Sequence, residues 1–342
     1  GASIRTRTRC VSAKREQGMW QATLLDTRAA ATMIVTARAL ADAAGPWAAE
    51  VFNGVSGRHV GYAKLRLVKG SHIIVPRIYE GEHSYVLQNE DRRVIFVMPY
   101  EMDYSLIGTT EIPFAGDPLK ARISAEEISY LCAAVSRYFR KPLDPRDVAE
   151  SYSGVRPLYD DGAKNASATT RKYILDLDAP EGSAPLLSVF GGKLTTYRRL
   201  AEDAIDRLAP HLKPPRAKRW TASAPLPGGD MGGGDFDRFL RALRGKYPWL
   251  NAATVARLAR AYGTRAELIL GKARCARDLG EDFGAGVFQA EIDYLISQEF
   301  ALTAGDILWR RSKRGLHLSP VERARVSAYV DAHARIGERP NA

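Results

Sequence analysis

Apolar and polar positions alternate with strand periodicity in the first part of the chain. Short β-rich segments follow one another over residues 3–35, and the arginines within residues 5–9 alternate with Ile and Thr, as in a half-exposed strand. A strand over residues 38–45 is predicted to enter a Gly-Pro turn. A short helix over residues 47–52 is expected to follow it.

The pattern then predicts a sheet followed by a helix. Strands are expected at residues 73–75, 85–87 and 93–98, and Asn, Asp and Glu turns separate them. This spacing is typical of a mostly antiparallel sheet. A capping box of Ser124 and Glu127 predicts the start of a helix, and a Lys-Pro pair ends it.

The apolar strand predicted at residues 188–190 is followed directly by two glycines and a lysine at residues 191–193. Glycine lets the backbone turn sharply, and the amides and dipole of a following helix attract an anion or the polar edge of a ring. Thr195 or Thr196 is the expected N-cap. An ordinary strand-to-helix turn has the same spacing, so the spacing alone leaves both interpretations open.

The last third of the chain has helical periodicity. A segment rich in proline and glycine, residues 210–234, is typical of a linker. Ser319 and Pro320 suit the N-cap and first position of a terminal helix. The helices predicted beyond the linker span residues 236–243, 251–262, 289–299, 304–311 and 320–333.

Composition excludes several classes of protein. The 342 residues are 45% hydrophobic, which is enough for two or three domains. There is no uncharged apolar run of about 18 residues and no secretory leader, so we expect a soluble or peripherally attached protein. Cys10, Cys132 and Cys275 are isolated, which favours a reducing compartment and argues against a metal site or disulfide framework.

The net charge of +11 is unevenly distributed. Residues 1–57 carry 7 basic and 4 acidic side chains, residues 58–212 carry 21 of each, and residues 213–342 carry 22 and 14. Such an excess attracts nucleic acid, an anionic membrane or a phosphorylated substrate, although a solvated helix face has the same composition. We expect no nucleic-acid partner, because that function leaves the neutral middle part unexplained and no aromatic stacking pattern accompanies the basic runs.

Five ordered motifs carry a resemblance to a known family. They are KGSHIIVPR at residues 69–77, IGTTE at 107–111, SGVRPL at 153–158, SVFGGKLTTYRR at 188–199 and DILWRR at 306–311. Together they resemble the FAD-dependent glycerol-3-phosphate dehydrogenases over essentially the whole chain. The resemblance implies an α/β plus α fold. It comprises a partial FAD-binding domain like those of glutathione reductase and D-amino-acid oxidase, an antiparallel-sheet substrate domain and a C-terminal helical domain.

The resemblance implies a division of the chain into domains, with part of the FAD-binding domain at residues 1–57 and the substrate-binding sheet at 58–150. A return segment of the FAD domain, with the edge of the active site, is expected at 151–212. The linker then covers 213–234 and the helical domain covers 235–342.

The sequence departs from the family's pattern in two ways. Family members begin with a strand, a Gly-x-Gly-x-x-Gly turn and a helix that bind the FAD pyrophosphate, and these 342 residues contain no such element. The sequence therefore resembles that enzyme without its amino-terminal segment, and we expect this chain not to retain FAD by itself. The glycines of residues 229–234 follow no strand, so they are not interpreted as a phosphate loop. Asp42 stands where the family has asparagine.

The resemblance implies oxidation of sn-glycerol 3-phosphate to dihydroxyacetone phosphate, with hydride passing from C2 to the flavin. Arg156 and Arg171 correspond to substrate-contacting arginines, whose forks suit a phosphate. Judged without the family, both would be surface charges. His72 corresponds to a residue facing the substrate hydroxyl and is the candidate proton acceptor, with a hydrogen-bonded structural histidine as the alternative. Lys193 is the candidate cation beside the flavin and the substrate, which makes His72, Arg156 and Lys193 the expected catalytic set.

The remaining expectations concern the cofactor and partners. The expected FAD-facing residues are Gly45, Pro46, Gly191, Gly192, Lys193, Leu194 and Thr195. The resemblance implies a quinone as electron acceptor, and a glycerol-3-phosphate oxidase that uses oxygen is the alternative. It also implies a homodimer in the cytoplasm that is attached peripherally to the inner face of the cell membrane. The excess of basic residues at positions 213–342 is compatible with this attachment.

Overall fold

The computed structural model describes residues 2–51, 65–159, 172–212 and 219–333. The chain divides into two compact units, Gly1–Ala222 and Ser223–Ala342. Their boundary falls within the segment interpreted above as a linker. The finer division of the first unit stays a prediction.

The first unit opens with short strands. They are β1 (Thr8–Glu16), β2 (Met19–Asp26), β3 (Ala31–Ala37) and β4 (Leu40–Asp42). The first three form an antiparallel meander whose inner face buries Trp20 and Ala22. The strand expected from residue 5 onward begins only at Thr8, because Arg7 adopts a left-handed φ of 55°, which interrupts an extended strand.

A larger sheet follows. Its strands are β5 (Leu65–Pro76), β6 (Tyr85–Gln88), β7 (Val94–Tyr100), β8 (Tyr104–Gly108), β9 (Ile112–Pro113) and β10 (Glu150–Tyr159). The order is β10-β5-β8-β7-β6, with β9 beside β5, and each pair is antiparallel. The expected antiparallel sheet is therefore confirmed. Since side chains alternate across a strand, β5 presents Ile73 and Val75 to one face and Gly70 and His72 to the other.

Helix α2 (Ala125–Ser136) covers the face of the sheet that carries Ile73 and Val75. Its predicted capping box is present: Ser124 Oγ accepts from the Glu127 amide at 3.3 Å, and the Glu127 carboxylate accepts from the Ser124 amide at 2.8 Å. The helix thereby closes one side of the sheet and leaves the His72 side for the candidate site.

The third sheet leads into the Gly-Gly-Lys junction. Strands β11 (Tyr173–Asp178) and β12 (Leu186–Gly191) pair antiparallel, and β12 runs parallel to β4. A 3-10 turn over Leu194–Thr196 then precedes helix α3 (Tyr197–Leu212). The expected threonine N-cap is wrong, because the Thr196 hydroxyl donates to the Lys193 carbonyl at 2.7 Å and Lys193 itself occupies the N-cap position of that turn.

A second short helical element follows β4. The 3-10 turn Gly45–Trp47 continues into the three-residue helix α1 (Ala48–Glu50), as the sequence predicts for this region. This turn packs against β10 and β12.

The second unit is the helical domain that the sequence predicts. Its helices are α4 (Phe236–Lys246), α5 (Ala252–Tyr262), α6 (Ala266–Leu270), α7 (Gln289–Gln298) and α8 (Pro320–His333), with a π-helix at Asp306–Arg311 and the strands β13 (Asp282–Gly284) and β14 (Val287–Phe288). Leu243, Leu258 and Leu295 lie in one apolar core. Ser319 Oγ accepts from the Glu322 amide at 3.3 Å, so the predicted cap of the last helix is confirmed.

Candidate active site

One face of the large sheet carries His72 between an aromatic ring and a glycine. The imidazole lies against Gly108, its partner on β8, where a Cβ would collide with the ring. On the other side, the ring of Tyr152 on β10 stacks on the imidazole with a centroid distance of 5.0 Å and an interplanar angle of 11°. Glycine at position 108 therefore makes room for the histidine ring inside the sheet.

Arg156 lies on this same face. Its guanidinium passes over Gly70, where a Cβ would come within 2.5 Å of Nη1, and its Nη2 donates to Thr109 Oγ1 at 3.2 Å. The side chain is half-buried, and the second glycine is what leaves space for it on an inner strand. A guanidinium held in this way presents a fork suited to an oxyanion.

The electrostatic state of His72 follows from this packing. Burial, reinforced by the positive charge of Arg156, lowers the pKa of His72 from 6.5 to about 4. Its Nδ1 atom is buried and has no hydrogen-bond partner within the described ranges of the chain. The imidazole is therefore neutral at pH 7, so one of its ring nitrogens can accept a proton.

The loop after β12 has an open backbone. Gly191 and Gly192 adopt φ values of 70° and 95°, which favour glycine, and a Cβ on Gly191 would lie 3.0 Å from the Lys172 carbonyl oxygen. Lys193, Leu194 and Thr195 are exposed. The loop starts from β12, which packs against β10, the strand that carries Arg156 and Tyr152.

A cleft of about 960 Å³ lies at the Gly45–Trp47 turn. Asp42, Pro46 and Trp47 are among its lining residues, with Leu67 of β5 on another side. Gly45 has a φ of 58° and open space where a Cβ would stand. The expected Gly45–Pro46 element therefore borders a concave surface large enough for part of a cofactor.

Asp42 is a buried acid in this cleft, with 4% of its surface exposed. Oδ1 accepts from the Ala44 amide at 3.0 Å, whereas Oδ2 has no hydrogen-bond partner among the residues that the structure describes. On the parallel strand β12, Ser188 lies in register with Asp42. Its Oγ is also buried and has no hydrogen-bond partner among the residues that the structure describes. Burial raises the pKa of Asp42 from 3.8 to about 6, although the amide of Ala44 opposes the shift.

We expect the variant Asp42→Asn to be more stable than the wild type above pH 6 and nearly equal to it at pH 4. The raised pKa means that the folded state binds this proton more tightly than the unfolded state, so the associated stability is present below pH 3.8 and is lost as the pH rises through about 6. An amide has no charge to bury. The expected gain is about 1–2 kcal/mol at pH 8.

Urea unfolding at pH 4 and pH 8 measures this difference. Asp144→Asn is the control, because the carboxyl of Asp144 is exposed and hydrogen bonds from Arg146 hold its pKa at about 2, so its loss has the opposite pH dependence. An equal effect of Asp42→Asn at both pH values would contradict the assignment of a buried, proton-linked carboxyl.

The structure brings together some of the predicted site residues. His72 and Arg156 converge on one sheet face, and Gly45 and Pro46 pack as a turn against the strands β10 and β12. The placement of the Lys193 ammonium at the pair stays a prediction, as do the roles of the loop residues. Arg171 lies outside the described residues.

Sequence reasoning missed several residues that shape the site. Tyr152, Thr109 and the two glycines at positions 70 and 108 contact the His72–Arg156 pair directly. Each glycine lies within a predicted motif, and an unexplained glycine inside a strand pattern signals a close approach of another group. That signal was present at Gly70, between Lys69 and Ser71.

Comparisons with known proteins agree with this architecture. The family model "FAD dependent oxidoreductase" matches residues 1–198, and the model "C-terminal domain of alpha-glycerophosphate oxidase" matches residues 219–334. Among solved structures, the glycerol-3-phosphate dehydrogenase from Bacillus halodurans complexed with FAD has a TM-score of 0.76 and 24% sequence identity, and the match covers 98% of this chain and 70% of that one. At this identity the likeness concerns the fold.

Curated relatives are more similar in sequence. A glycerol-3-phosphate dehydrogenase of Pseudomonas aeruginosa is 47% identical over 97% of this chain and 64% of its own length. A D-erythritol 1-phosphate dehydrogenase of Brucella abortus is 45% identical, and an aerobic glycerol-3-phosphate dehydrogenase of Escherichia coli is 43% identical, over 97% and 96% of this chain. The match covers 65% of each of these two relatives, so the chain spans slightly less than two thirds of the relatives' length.

Proposed function

This chain belongs to the FAD dependent oxidoreductases, and from that membership we propose that it oxidises sn-glycerol 3-phosphate to dihydroxyacetone phosphate. The observation that carries the proposal is the His72–Arg156 pair: a half-buried neutral base lies beside a guanidinium fork on one sheet face. The names of relatives at 43% and 47% identity support the same substrate.

The residues present fit FAD. The loop after β12 has an open glycine backbone, and its tip exposes 89% of Leu194, an apolar surface that a flavin ring would cover. We propose that Gly45 and Pro46 hold the cofactor together with residues 191–195, and that Lys193 stabilises negative charge at the ring edge. When bound, FAD supplies the two-electron acceptor for a hydride.

The side chains of this chain then have separate tasks. Arg156 binds the substrate phosphate through parallel charge-assisted hydrogen bonds, and by resemblance Arg171 assists it. The His72 imidazole accepts the proton of the C2 hydroxyl as the hydride leaves C2, so that the C2–O bond becomes a carbonyl. Tyr152 and Gly108 hold the imidazole plane between them, which restricts the direction from which the hydroxyl approaches.

Product analysis with three alcohols tests the substrate. The assays contain FAD in excess, because this chain is not expected to retain it by itself. The protein should then convert sn-glycerol 3-phosphate to dihydroxyacetone phosphate and leave unphosphorylated glycerol unchanged, because Arg156 has no anion to bind in glycerol. D-Erythritol 1-phosphate is the second candidate, since the Brucella abortus relative is 45% identical. Faster oxidation of the four-carbon phosphate would favour that substrate. Failure of both phosphates to reduce the flavin would contradict the proposal.

We propose a quinone as the final electron acceptor, because the three relatives compared above are named dehydrogenases. The oxidase alternative has its own support, in the description of the model that matches residues 219–334. Reduction of a quinone analogue under anaerobic conditions, compared with peroxide formation in air, separates the two.

We also propose that the protein is a homodimer in the cytoplasm, attached peripherally to the inner face of the membrane. The excess of basic residues beyond position 212 supports the membrane attachment, but three cations of the basic segment 309–314 have internal partners. Lys313 Nζ donates to the Arg311 carbonyl at 3.4 Å. Arg311 Nε donates to the Glu299 carbonyl at 2.7 Å, and the buried Arg314 donates to the Ala285 carbonyl at 2.7 Å. Arg310 remains exposed. Within the described ranges, no helix has the length and apolarity to cross a bilayer.

Vesicle sedimentation tests the membrane attachment. Binding should increase with the fraction of anionic lipid and decrease with salt. Binding that is independent of lipid charge would contradict an electrostatic attachment.

A further inference from the structure

A buried carboxylate lies on the opposite side of the sheet from His72 and Arg156. Glu127 is 4% exposed and accepts four hydrogen bonds. Oε1 accepts from Thr110 Oγ1 at 2.7 Å and from Ser71 Oγ at 2.9 Å, and Oε2 accepts from Lys69 Nζ at 2.7 Å and from the Ser124 amide at 2.8 Å. All four acceptor positions of the carboxylate are therefore used.

Three of these donors come from the two segments that shape the candidate site, and the fourth, the Ser124 amide, belongs to the cap of α2. Lys69 and Ser71 flank Gly70, over which the Arg156 guanidinium passes. Thr110 follows Thr109, whose hydroxyl accepts from Arg156 Nη2. Three of the four residues that donate to Glu127 are thus next in sequence to a residue that touches Arg156 on the other face.

Thr110 connects the two segments a second time. Its Oγ1 accepts from the Ser71 amide at 3.0 Å while donating to Glu127, and its own amide donates to the Ser71 carbonyl at 3.3 Å. Ser71 Oγ also lies 2.9 Å from Ser153 Oγ on β10, the strand of Arg156. One buried charge therefore sets the relative positions of β5, β10 and the segment that follows β8.

We propose that Glu127 is a positioning residue for phosphate binding, acting through Thr110 and Ser71 to hold Thr109 and Gly70 where the Arg156 fork needs them. This inference rests on the proposed function, because it assigns the phosphate to Arg156. The capping box explains only one of the four hydrogen bonds, since capping α2 requires the Ser124 amide and none of the other three donors. Positioning accounts for the remaining three.

The test uses substitutions that keep side-chain volume. Thr110→Val removes the hydroxyl, Thr110→Ser keeps it, and Glu127→Gln keeps the shape but removes the charge. Glu291→Gln is the matched control, because Glu291 is 2% exposed, is paired with Arg257 at 2.6 Å and belongs to the helical unit. The measurements are KM and kcat for sn-glycerol 3-phosphate, the Kd of inorganic phosphate by calorimetry, and Tm.

We expect Thr110→Val and Glu127→Gln to raise KM and the phosphate Kd together by about 10-fold, with kcat changed less than about threefold, because a fork held loosely binds the anion less well. Thr110→Ser should stay within about twofold of the wild type. Glu291→Gln should lower Tm and leave both binding values unchanged. The inference is overturned if Thr110→Val and Glu127→Gln lower Tm with KM and Kd unchanged.

Arg156→Met in the same assays separates this inference from the proposed function. If it leaves KM and the phosphate Kd unchanged, the proposed function fails at its phosphate site. If it raises both while Thr110→Val and Glu127→Gln do not, only the positioning inference fails.

Discussion

Replacing Arg156 by methionine is expected to raise the KM for sn-glycerol 3-phosphate, the proposed substrate, by about 100- to 1,000-fold. Two charge-assisted hydrogen bonds to a phosphate dianion contribute on the order of 3–4 kcal/mol, and each 1.4 kcal/mol is tenfold in binding. Methionine keeps much of the apolar stem and removes the donors. Initial-rate measurements over a wide substrate range give the change.

Two comparisons sharpen this prediction. Arg156→Lys keeps the positive charge but loses the fork, so its KM should lie between those of wild type and Arg156→Met. Arg146→Met is the control, because the side chain of Arg146 is 90% exposed and pairs with Asp144. A KM for Arg156→Met within threefold of the wild-type value would remove Arg156 from the phosphate site.

Replacing His72 by asparagine should lower kcat by about 10²- to 10⁴-fold, the usual contribution of a positioned general base. The change should fall mainly on kcat, because the phosphate contacts at Arg156 remain. Rapid-mixing measurement of flavin reduction isolates this step from the later transfer of electrons to the acceptor. A reduction rate within a factor of three of wild type would show that another group accepts the proton.

The pH dependence gives an independent test of His72. In the free protein its pKa is lowered to about 4, with burial as the larger cause and the charge of Arg156 as the smaller one. A bound phosphate dianion offsets that charge and raises the pKa, so the acid limb of kcat should lie at a higher pH than the His72 limb of kcat/KM. The second pKa of a phosphate monoester is about 6. A decrease of activity near pH 6 that persists in the variant His72→Asn is therefore assigned to the substrate phosphate and not to His72.

The same shift affects stability. Unfolded histidine binds a proton below about pH 6.5, whereas folded His72 stays neutral down to about pH 4. The unfolded state therefore binds more protons in this interval, and the contribution of His72 to stability, present above pH 6.5, is lost as the pH falls toward 4. His72→Asn should remove this part of the acid sensitivity in urea unfolding.

Much of the architecture could be predicted from local sequence pattern. The antiparallel strands, the capping box of Ser124 and Glu127, and the helical second unit all follow from periodicity and capping chemistry. The threonine N-cap at the Gly-Gly-Lys loop could not, since a 3-10 turn intervenes and turns the Thr196 hydroxyl toward a carbonyl. The internal hydrogen bonds of Arg311 and Arg314 could not be predicted either. In the sequence, an arginine that donates to a backbone carbonyl cannot be distinguished from one that is exposed to solvent.

By itself, the sequence determined the order of the motifs, and their resemblance to a known family made His72 and Arg156 the candidates for a base and a phosphate ligand. Only the tertiary structure decided that they share one face, that Gly70 and Gly108 make room for them, and that Asp42 and Glu127 are buried acids in opposite situations. Asp42 has an unpartnered oxygen and a raised pKa, whereas Glu127 accepts four hydrogen bonds and has a lowered one. The physical reason is that strand register and burial arise between segments far apart in sequence, and a local pattern contains no information about them.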